Sequence, residues 1–335
     1  MSKFNNTSGK KVIKDLDALF NLIDIHEYKS LSFHHHFRNG DYVINMVLKE
    51  YLKNNVQDIN LFPSAIFPSY SMITELLKNN QINNITTNYL NGDAADYIVN
   101  NGLKGQLKMQ THGGRARAII EGNSSIDIAF IGVPYANDKG DAVGYYGKNA
   151  CGSLGYPIPD SKYAKIKVLI TDTLVDETIS NPEIDGNDID FIIVVDNVGD
   201  KKGIVSGTTE VTKNPIGVKI ASNTSKLLHE LNLIKPGFSF QSGAGGVSLR
   251  VTKDVKEIMI KENITASFFS GGITKYHVEM LEEGLVERLY DVQCFDLDAI
   301  HSLGKNLNHI PISASVYANP NDKNMVIRDL DVVIL

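Results

Sequence analysis

Two segments bring histidine, arginine and glycine together, a combination that suits the binding of anions. The first is SFHHHFRNGD, whose candidate residues are His34, His35, His36 and Arg38. The second is THGGR, whose candidate residues are His112, Gly113, Gly114 and Arg115. A guanidinium group binds a carboxylate or a phosphate through two parallel hydrogen bonds, and an imidazole can add another. We therefore expect both segments to contact an anionic ligand; a purely structural ion pair is the alternative for each arginine.

The three adjacent histidines raise the alternative of a zinc site. Neighbouring side chains of a strand point to opposite faces, so consecutive histidines rarely ligate one ion together. The only cysteines are Cys151 and Cys294, too few for a thiolate cluster. We therefore predict no metal site.

Two further turns are rich in glycine and could bind charge through the backbone. They provide Gln241, Gly243, Ala244, Gly245, Gly246, Gly271 and Gly272 as candidates. Backbone N–H groups at such a turn can hold a phosphate or the oxyanion that develops during acyl transfer. Close packing of the chain is the alternative use of these glycines. Neither GxxxxGK[ST] nor GxGxxG at the first turn occurs, which disfavours P-loop hydrolases and dinucleotide dehydrogenases.

The elements that position these turns follow from the periodicity of apolar residues. Strands are predicted over 28–33, 59–62, 84–89, 106–111, 126–132, 165–171, 190–196, 217–221, 238–242, 266–270, 286–292 and 332–335. Helices are predicted over 41–52, 70–77, 94–100, 225–233, 247–261 and 275–283. Runs such as IDIAFIG and KIKVLIT are apolar throughout, which is typical of parallel strands covered on both faces. The predicted fold class is α/β, and ligands of such sheets bind beyond the carboxyl ends of the strands.

Length and charge narrow the function further. The chain has 335 residues, enough for two domains, which we place at 1–235 and 236–335. Its net charge of −6 disfavours nucleic acid as a partner. No apolar run approaches the roughly 20 residues of a membrane helix, and no signal peptide is evident. We therefore expect a cytoplasmic protein that does not interact with a membrane.

Taken together, the motifs resemble one family. They are SFHHHFRNGD, THGGR, DIAFIGVP, NACGSLGYPI, FSFQSGAGGVSL, SGGIT, DVQCFD, ISASVYANP and RDLDVVIL, in this order from Lys11 to Leu335. The chain is similar to the α subunits of bacterial citrate lyase, which act in citrate fermentation. The resemblance implies two CoA-transferase-like, open, mostly parallel sheets with helices on both faces.

The resemblance also implies an activity and partners. The implied activity is that of a citrate CoA-transferase, which exchanges acetyl for citryl on a carrier thiol and releases acetate. The thiol belongs to a phosphoribosyl dephospho-CoA group on the γ acyl-carrier subunit, or to CoA, and acts as a substrate rather than as a bound cofactor. The β subunit is the other implied partner.

Two alternatives to this activity stay open. The family chain continues beyond the stretch that matches Asp331–Leu335, so we expect the second domain to be incomplete. A non-catalytic half-chain that binds the carrier or CoA and assembles with the β and γ subunits is one alternative. A transferase for citramalate or another small carboxylate is the other.

The resemblance finally implies roles for the candidate residues. Many CoA-transferases carry a nucleophilic glutamate where this chain has TASFFSGG, and no acidic residue lies between Glu262 and Glu279. We therefore expect direct exchange in a ternary complex, in which a carboxylate of citrate attacks the acetyl thioester. The glycine-rich turns would supply oxyanion donors, and the histidine and arginine segments with Gln241 would bind the substrate or the carrier.

Overall fold

The computed structural model describes residues 10–205 and 209–334, which form three sheets and the helices packed on them. The strands are β1 (Val12–Ile13), β2 (Ser30–Phe33), β3 (Ile59–Pro63), β4 (Ile82–Thr87), β5 (Leu107–Met109), β6 (Ile128–Val133), β7 (Tyr135–Asn137), β8 (Ala142–Val143), β9 (Ile166–Thr171), β10 (Leu174–Val175), β11 (Phe191–Val194), β12 (Ser239–Ser242), β13 (Ala266–Ile273), β14 (Val286–Cys294), β15 (His309–Pro311) and β16 (Val332–Ile334). The helices are α1 (Leu16–Leu22), α2 (Val43–Lys53), α3 (Ser71–Lys78), α4 (Asp93–Asn101), α5 (His112–Ile120), α6 (Pro157–Tyr163), α7 (Pro215–Glu230), α8 (Gly246–Glu262), α9 (Lys275–Glu282), α10 (Leu297–Leu303) and α11 (Ala314–Ala318).

The largest sheet has eight strands in the order β1-β11-β9-β6-β2-β3-β4-β5, and every pair in it is parallel. Its central strands β6 and β9 are buried at every position. This burial explains why their sequences are apolar throughout instead of alternating, as expected for parallel strands with helices on both faces. The predicted strands of this sheet are confirmed, with bounds that shift by a few residues.

The second large sheet has five parallel strands in the order β15-β14-β13-β12-β16. Helix α7 packs against α8 of this sheet although it precedes residue 235. The division of the chain at residue 235 stays a prediction. The end of the predicted strand 332–335, Leu335, lies outside the described residues.

One region was predicted wrongly. We expected a strand over 217–221 and a helix over 225–233, but α7 is one continuous helix. Asn214 caps it, because its side chain accepts hydrogen bonds from the N–H groups of Ile216 and Gly217. Pro215 at the first helical position favours the same start. The strand preference of the β-branched residues near the start of α7 is therefore overridden by the capping residue Asn214 and by Pro215.

The remaining elements are short and have little periodicity, so the sequence did not predict them. They include α1, α6, α10, α11, β15 and the small sheet with the order β10-β7-β8. The hairpin β7–β8 is its antiparallel part. In the part of the chain that the structure describes, no helix is both long and apolar enough to cross a bilayer.

The carboxyl ends of the two large sheets face each other and are in contact. The side-chain amide of Gln293, near the end of β14, donates to the carbonyl oxygen of His35, after β2, at 3.1 Å. On α5, a Cβ at Gly113 would lie 1.9 Å from the carbonyl oxygen of Ala318, so only glycine permits this approach. We call the turns after β2, β3, β4 and β5, together with the last residues of β12, β13 and β14 and the turns that follow them, the inter-sheet junction.

Candidate active site at the inter-sheet junction

The two histidine-containing segments meet at the junction. The ring centroids of His35 and His112 lie 6.0 Å apart. The ring of Tyr156 lies 4.4 Å from that of His35 and 5.2 Å from that of His112. Parallel strands end at the same edge of a sheet, so residues that follow β2 and β5 converge although about 75 residues separate them in sequence. The structure thus brings SFHHHFRNGD and THGGR together.

The three consecutive histidines do not converge on a common point. Each ring has its own partner: His34 Nε2 lies 3.4 Å from Asp160 Oδ1, His35 Nδ1 lies 2.6 Å from Ser64 Oγ, and His36 Nε2 lies 2.7 Å from the carbonyl oxygen of Gly132. Among residues 10–205 and 209–334, no group of three histidine, cysteine or acidic side chains has the geometry of a metal site.

Burial keeps these histidines neutral. It lowers the pKa of His36 to about 3 and the pKa of His112 to about 4, and it lowers the pKa of His35 well below its ordinary value. The pKa of His34 is lowered as well, although Asp160 opposes that shift. Neutral imidazoles can offer single hydrogen bonds but no positive charge. His112 is the least buried of the four, and its Nδ1 lies 2.7 Å from the side-chain nitrogen of Asn88, so its Nε2–H is the free donor.

We expect stability to fall as the pH is lowered from 7 to 5. A depressed histidine pKa stabilises the folded state above the unfolded pKa of about 6.5, and this contribution is lost as the pH falls toward the folded value. His34, His35, His36, His112 and His277 all act in this direction. The pKa values of the buried carboxyl groups of Asp41 and Glu183 are raised to about 7, which stabilises the folded state at lower pH and opposes the loss only in part.

The midpoint of urea unfolding, measured from pH 7 to pH 5, checks this expectation. The variant His36→Gln should flatten the dependence, by up to ~1.4 kcal/mol per pH unit for the one proton removed. The matched control His26→Gln changes an exposed histidine and should leave the slope as in the wild type. A slope that His36→Gln does not change would contradict the assignment of His36 as a buried neutral ring.

Arg115 is engaged inside the protein, which corrects the hypothesis that it binds a ligand. It is 2% exposed, and its Nη1 and Nη2 donate to the two carboxylate oxygens of Asp160 at 2.9 and 2.8 Å. Its Nη2 also donates to Ser32 Oγ and to the carbonyl oxygen of Phe62. Because Thr111 caps α5 at Gly114, Arg115 falls on the first turn and points inward. We therefore reassign Arg115 from ligand binding to positioning β2, β3 and α6.

The charge of Arg115 also controls the ionisation of its partner. Burial alone would raise the pKa of the Asp160 carboxyl group, but the charges of Arg115 and His34 outweigh it and hold that pKa below its usual range. Asp160 therefore stays ionised at neutral pH and engages both Nη groups of Arg115, whose Nε is buried and has no hydrogen-bond partner among the described residues.

Arg38 is the junction's available guanidinium group. Its central carbon lies 4.8 Å from the ring centroid of Phe295 and 5.6 Å from that of Phe67. Nη1 makes one long contact of 3.5 Å with the carbonyl oxygen of Ile204, and Nε is buried without a partner among the described residues. Burial lowers the pKa of Arg38, yet a guanidinium group stays protonated at pH 7.

The backbone of Arg38 is unusual. Its φ of +52° lies in the left-handed region, which few residues other than glycine adopt. Such conformations persist where the surrounding structure fixes them, often at functional sites. The contacts with Phe67 and Phe295, one from each large sheet, place the guanidinium group between the two halves of the junction.

Sequence reasoning missed several polar residues of the junction. Tyr70 Oη, Asn88 Oδ1 and Gln110 Oε1 are buried without a hydrogen-bond partner in the described chain. They follow β3, β4 and β5 respectively, and burial raises the pKa of Tyr70 well above its ordinary value, a shift that the charge of Arg38 opposes. Asn88 and Gln110 directly follow a strand end, which is the signal that could have found them, whereas Tyr70 lies seven residues beyond β3; no arginine or glycine pattern marks any of the three.

The glycine-rich turns divide into two kinds. Gly243 donates its N–H to the carbonyl oxygen of Ile334 at 2.7 Å, so it is unavailable as an oxyanion donor and that prediction is corrected. A Cβ at Gly272 would lie 1.7 Å from the ring of Phe295, so close packing explains this glycine. Ala244, Gly245 and Gly246 stand at the start of α8, where the first N–H groups of a helix have no intrahelical acceptor.

Gly271 and Gln241 lie side by side near the carboxyl ends of β13 and β12 in the second large sheet. Gly271 has a φ of +109°, and a Cβ there would lie 3.3 Å from Gln241 Cγ. The Oε1 atom of Gln241 is buried without a hydrogen-bond partner in the described chain. Of the predicted residues, Arg38, His112, Gln241 and the start of α8 therefore keep polar groups for a ligand.

The sequence as a whole matches one known family. The model of that family, described as citrate lyase, alpha subunit (CitF), matches residues 9–335. The chain belongs to the citrate lyase α-subunit family. It is 38% identical over 326 residues to the citrate lyase alpha chain of Haemophilus influenzae. The aligned region covers 97% of this chain and 65% of that protein. The alpha chain of Klebsiella pneumoniae is also 38% identical, with 97% and 64% covered. The chain thus spans slightly less than two thirds of these relatives.

Solved structures confirm the predicted fold class of this citrate lyase α-subunit family member. A structure described as the alpha subunit of citrate lyase from Streptococcus mutans in complex with citrate is 41% identical, with a TM-score of 0.95 over 100% of this chain and 66% of that one. The malonate decarboxylase alpha subunit of Acinetobacter baumannii (13% identical, TM-score 0.69, 91% and 57% covered) shares the fold alone. So does the 4-hydroxybutyrate CoA-transferase of Porphyromonas gingivalis (11% identical, TM-score 0.58, 91% and 68% covered).

Proposed function

We propose that this protein exchanges acetyl for citryl on the thiol of an acyl carrier, with acetate as the other product. The observation that carries the proposal is Arg38, whose charged guanidinium group lies between aromatic rings of both large sheets and keeps free donors. Such a group binds a carboxylate in two-point fashion. The 41% identity to a Streptococcus mutans structure described as containing citrate supports citrate as that carboxylate.

The exchange balances without any group of the protein entering a covalent bond. A carboxylate oxygen of citrate attacks the carbonyl carbon of the acetyl thioester, the thiolate leaves, and an acetyl–citryl anhydride forms. The thiolate then attacks the citryl carbonyl carbon, and acetate leaves with one oxygen that came from citrate. The protein holds both substrates in register and stabilises the oxyanion of each addition, with the N–H groups of Ala244, Gly245 and Gly246 as donors.

The composition of the junction supports direct attack by the substrate. The junction turns, residues 34–40, 64–70, 88–91, 110–115, 242–246, 270–274 and 293–295, contain no aspartate or glutamate. The acidic residues that directly follow two of them act as caps. Asp41 accepts from the N–H of Ile44 at 2.9 Å, and Asp296 accepts from the N–H groups of Lys275 and Ala299 at 2.7 and 2.9 Å. Neither is placed to replace a catalytic glutamate.

Family membership extends the proposal to the carrier and the complex. We propose that the thiol belongs to a phosphoribosyl dephospho-CoA group on a γ acyl-carrier subunit, with CoA as a simpler acceptor, and that a β subunit completes the complex. The thiol group is a substrate of the exchange. The alternative is a non-catalytic role, in which the chain binds the carrier and assembles with β and γ.

The test is an exchange assay with acetyl-carrier and citrate, in which citryl-carrier and acetate are quantified. The account predicts both products in equal amounts. The assay is repeated with the remaining third of a relative added as a separate polypeptide. Exchange in the first format supports a catalytic chain, and exchange in neither format would contradict the proposed activity and favour the assembly role.

A further inference from the structure

Ser242 and His277 form a buried pair beside the glycine-rich turn at the start of α8. Ser242 is the last residue of β12 and is 4% exposed, and His277 lies on the first turn of α9 and is 2% exposed. Ser242 Oγ lies 3.0 Å from His277 Nε2. The other ring nitrogen, Nδ1, lies 3.1 Å from the backbone nitrogen of Thr274.

These contacts fix the tautomer of His277. The backbone N–H of Thr274 can only donate, so Nδ1 must be the unprotonated nitrogen. Burial lowers the pKa of His277 to about 4, so the ring is neutral at pH 7 and Nε2 carries its single proton. The Nε2–H therefore donates to Ser242 Oγ. This direction excludes His277 as the base that would activate Ser242 as a nucleophile.

The same direction leaves the hydroxyl proton of Ser242 for another acceptor. Ser242 accepts from His277, and the described residues offer no acceptor for its own O–H. Gln241 Oε1 and Ser270 Oγ, on the adjacent strands β12 and β13, are also buried without a hydrogen-bond partner in the described chain, and alternation along β12 places the Gln241 side chain on the opposite face from Ser242. Ser242 directly precedes Gly243, so its hydroxyl group stands at the turn that leads to the free N–H groups of α8.

We propose that the Ser242 hydroxyl group donates a hydrogen bond to the oxyanion that forms on the thioester carbonyl, and that His277 is its positioning residue. The inference rests on the proposed acyl exchange. No proton is transferred: the hydroxyl group stabilises the negative oxygen while the addition lasts and keeps its proton when the carbonyl re-forms. A donor oriented before the reaction stabilises such an oxygen more than one that must reorient.

The test compares kcat and the KM for citrate in the exchange assay. Ser242→Ala should lower kcat about 10²- to 10³-fold, because one oxyanion donor is lost, and should leave the KM for citrate as in the wild type. Ser242→Thr, which keeps a hydroxyl group, should restore much of the rate. The matched control is Ser267→Ala, since the Ser267 hydroxyl group donates to the carbonyl oxygen of Phe238 away from the turn, and it should exchange at the wild-type rate.

The role of His277 has its own readouts. His277→Gln can still accept from Thr274 and donate to Ser242, so it should retain more activity than His277→Phe. In protein labelled with ¹⁵N-histidine, the His277 resonances, assigned by their loss in His277→Gln, should report the Nε2–H tautomer at pH 7. An Nδ1–H tautomer in the wild-type protein would overturn the inference without an activity measurement.

The outcomes separate the inference from the proposed function. A wild-type protein that exchanges while folded Ser242→Ala keeps its kcat would overturn the role of Ser242 and leave the proposed function standing. A wild-type protein that exchanges in neither format of the assay would overturn the proposed function and, with it, this inference. A raised KM for citrate at unchanged kcat would place Ser242 in substrate binding and would also contradict the oxyanion role.

Discussion

Replacing Arg38 with alanine is expected to lower kcat/KM for citrate about 10²-fold or more in the exchange reaction. Arg38 is the junction's guanidinium group with free donors, and it lies between Phe67 and Phe295 at the meeting point of the two large sheets. Loss of one partner of a buried, hydrogen-bonded charge pair typically weakens binding by about 2–5 kcal/mol. The measurement is the citrate dependence of exchange, with circular dichroism to verify folding.

Two variants sharpen the Arg38 test. Arg38→Lys keeps the charge but not the planar fork, so it should fall between the wild type and alanine. Arg117→Ala removes an exposed arginine of α5 that lies 3.8 Å from Glu121, and it should behave as the wild type. Exchange at the wild-type rate by folded Arg38→Ala, with citrate below saturation, would remove Arg38 from the site.

The second large effect concerns stability rather than activity. Asp160→Ala should lower the free energy of unfolding by about 3–5 kcal/mol, because it leaves the Arg115 guanidinium group charged and buried without its bidentate partner. Arg115→Ala should likewise destabilise the fold, so its loss of exchange would not by itself indicate contact with citrate. Urea unfolding followed by circular dichroism measures both.

A control and a rescue accompany this prediction. Asp58→Ala breaks an exposed ion pair with Lys104 of similar length, 2.7 Å, and should change stability little. The double variant Asp160→Leu with Arg115→Met replaces the buried pair by apolar side chains and should recover much of the lost stability. If Asp160→Ala were as stable as Asp58→Ala, the pair would not hold β2, β3 and α6 together.

The sequence was sufficient to predict the parallel core and the strand ends that meet at the inter-sheet junction. Strands such as β6 and β9 are buried on both faces. Such burial is visible in the sequence as an uninterrupted run of apolar residues. The segments rich in histidine, arginine and glycine lie beyond strand ends, where open sheets bind ligands. Their meeting at one junction follows from that topology.

The roles of individual side chains at the junction could not be predicted, because they depend on distant partners. Arg115 and Arg38 look equivalent in sequence, but Asp160, 45 residues away, pairs with the first and leaves the second free. Gly243 and Gly246 likewise look alike, yet the carbonyl oxygen of Ile334 occupies the N–H of Gly243. Tyr70 and Asn88 follow strand ends without any local pattern, so only the fold reveals them.

The histidine run shows how burial changes the chemistry that composition suggests. Three adjacent imidazoles indicate a metal site or a positive cluster at first sight. In the folded chain each has a separate partner, and desolvation lowers the pKa of each ring, so the run carries no charge at pH 7. The contacts of the three rings fix the turn that follows β2. This turn positions Arg38, three residues after His35.

Direct attack by citrate on the acetyl thioester can be tested by a single-turnover exchange with ¹⁸O-carboxylate citrate. The protein is held in excess over acetyl-carrier, and the acetate released in the first turnover is analysed by mass spectrometry. The account predicts one ¹⁸O atom in each acetate, because the oxygen that leaves with acetate comes from citrate. Unlabelled acetate, with ¹⁸O appearing in a carboxylate of the protein, would show a covalent enzyme intermediate and contradict the account.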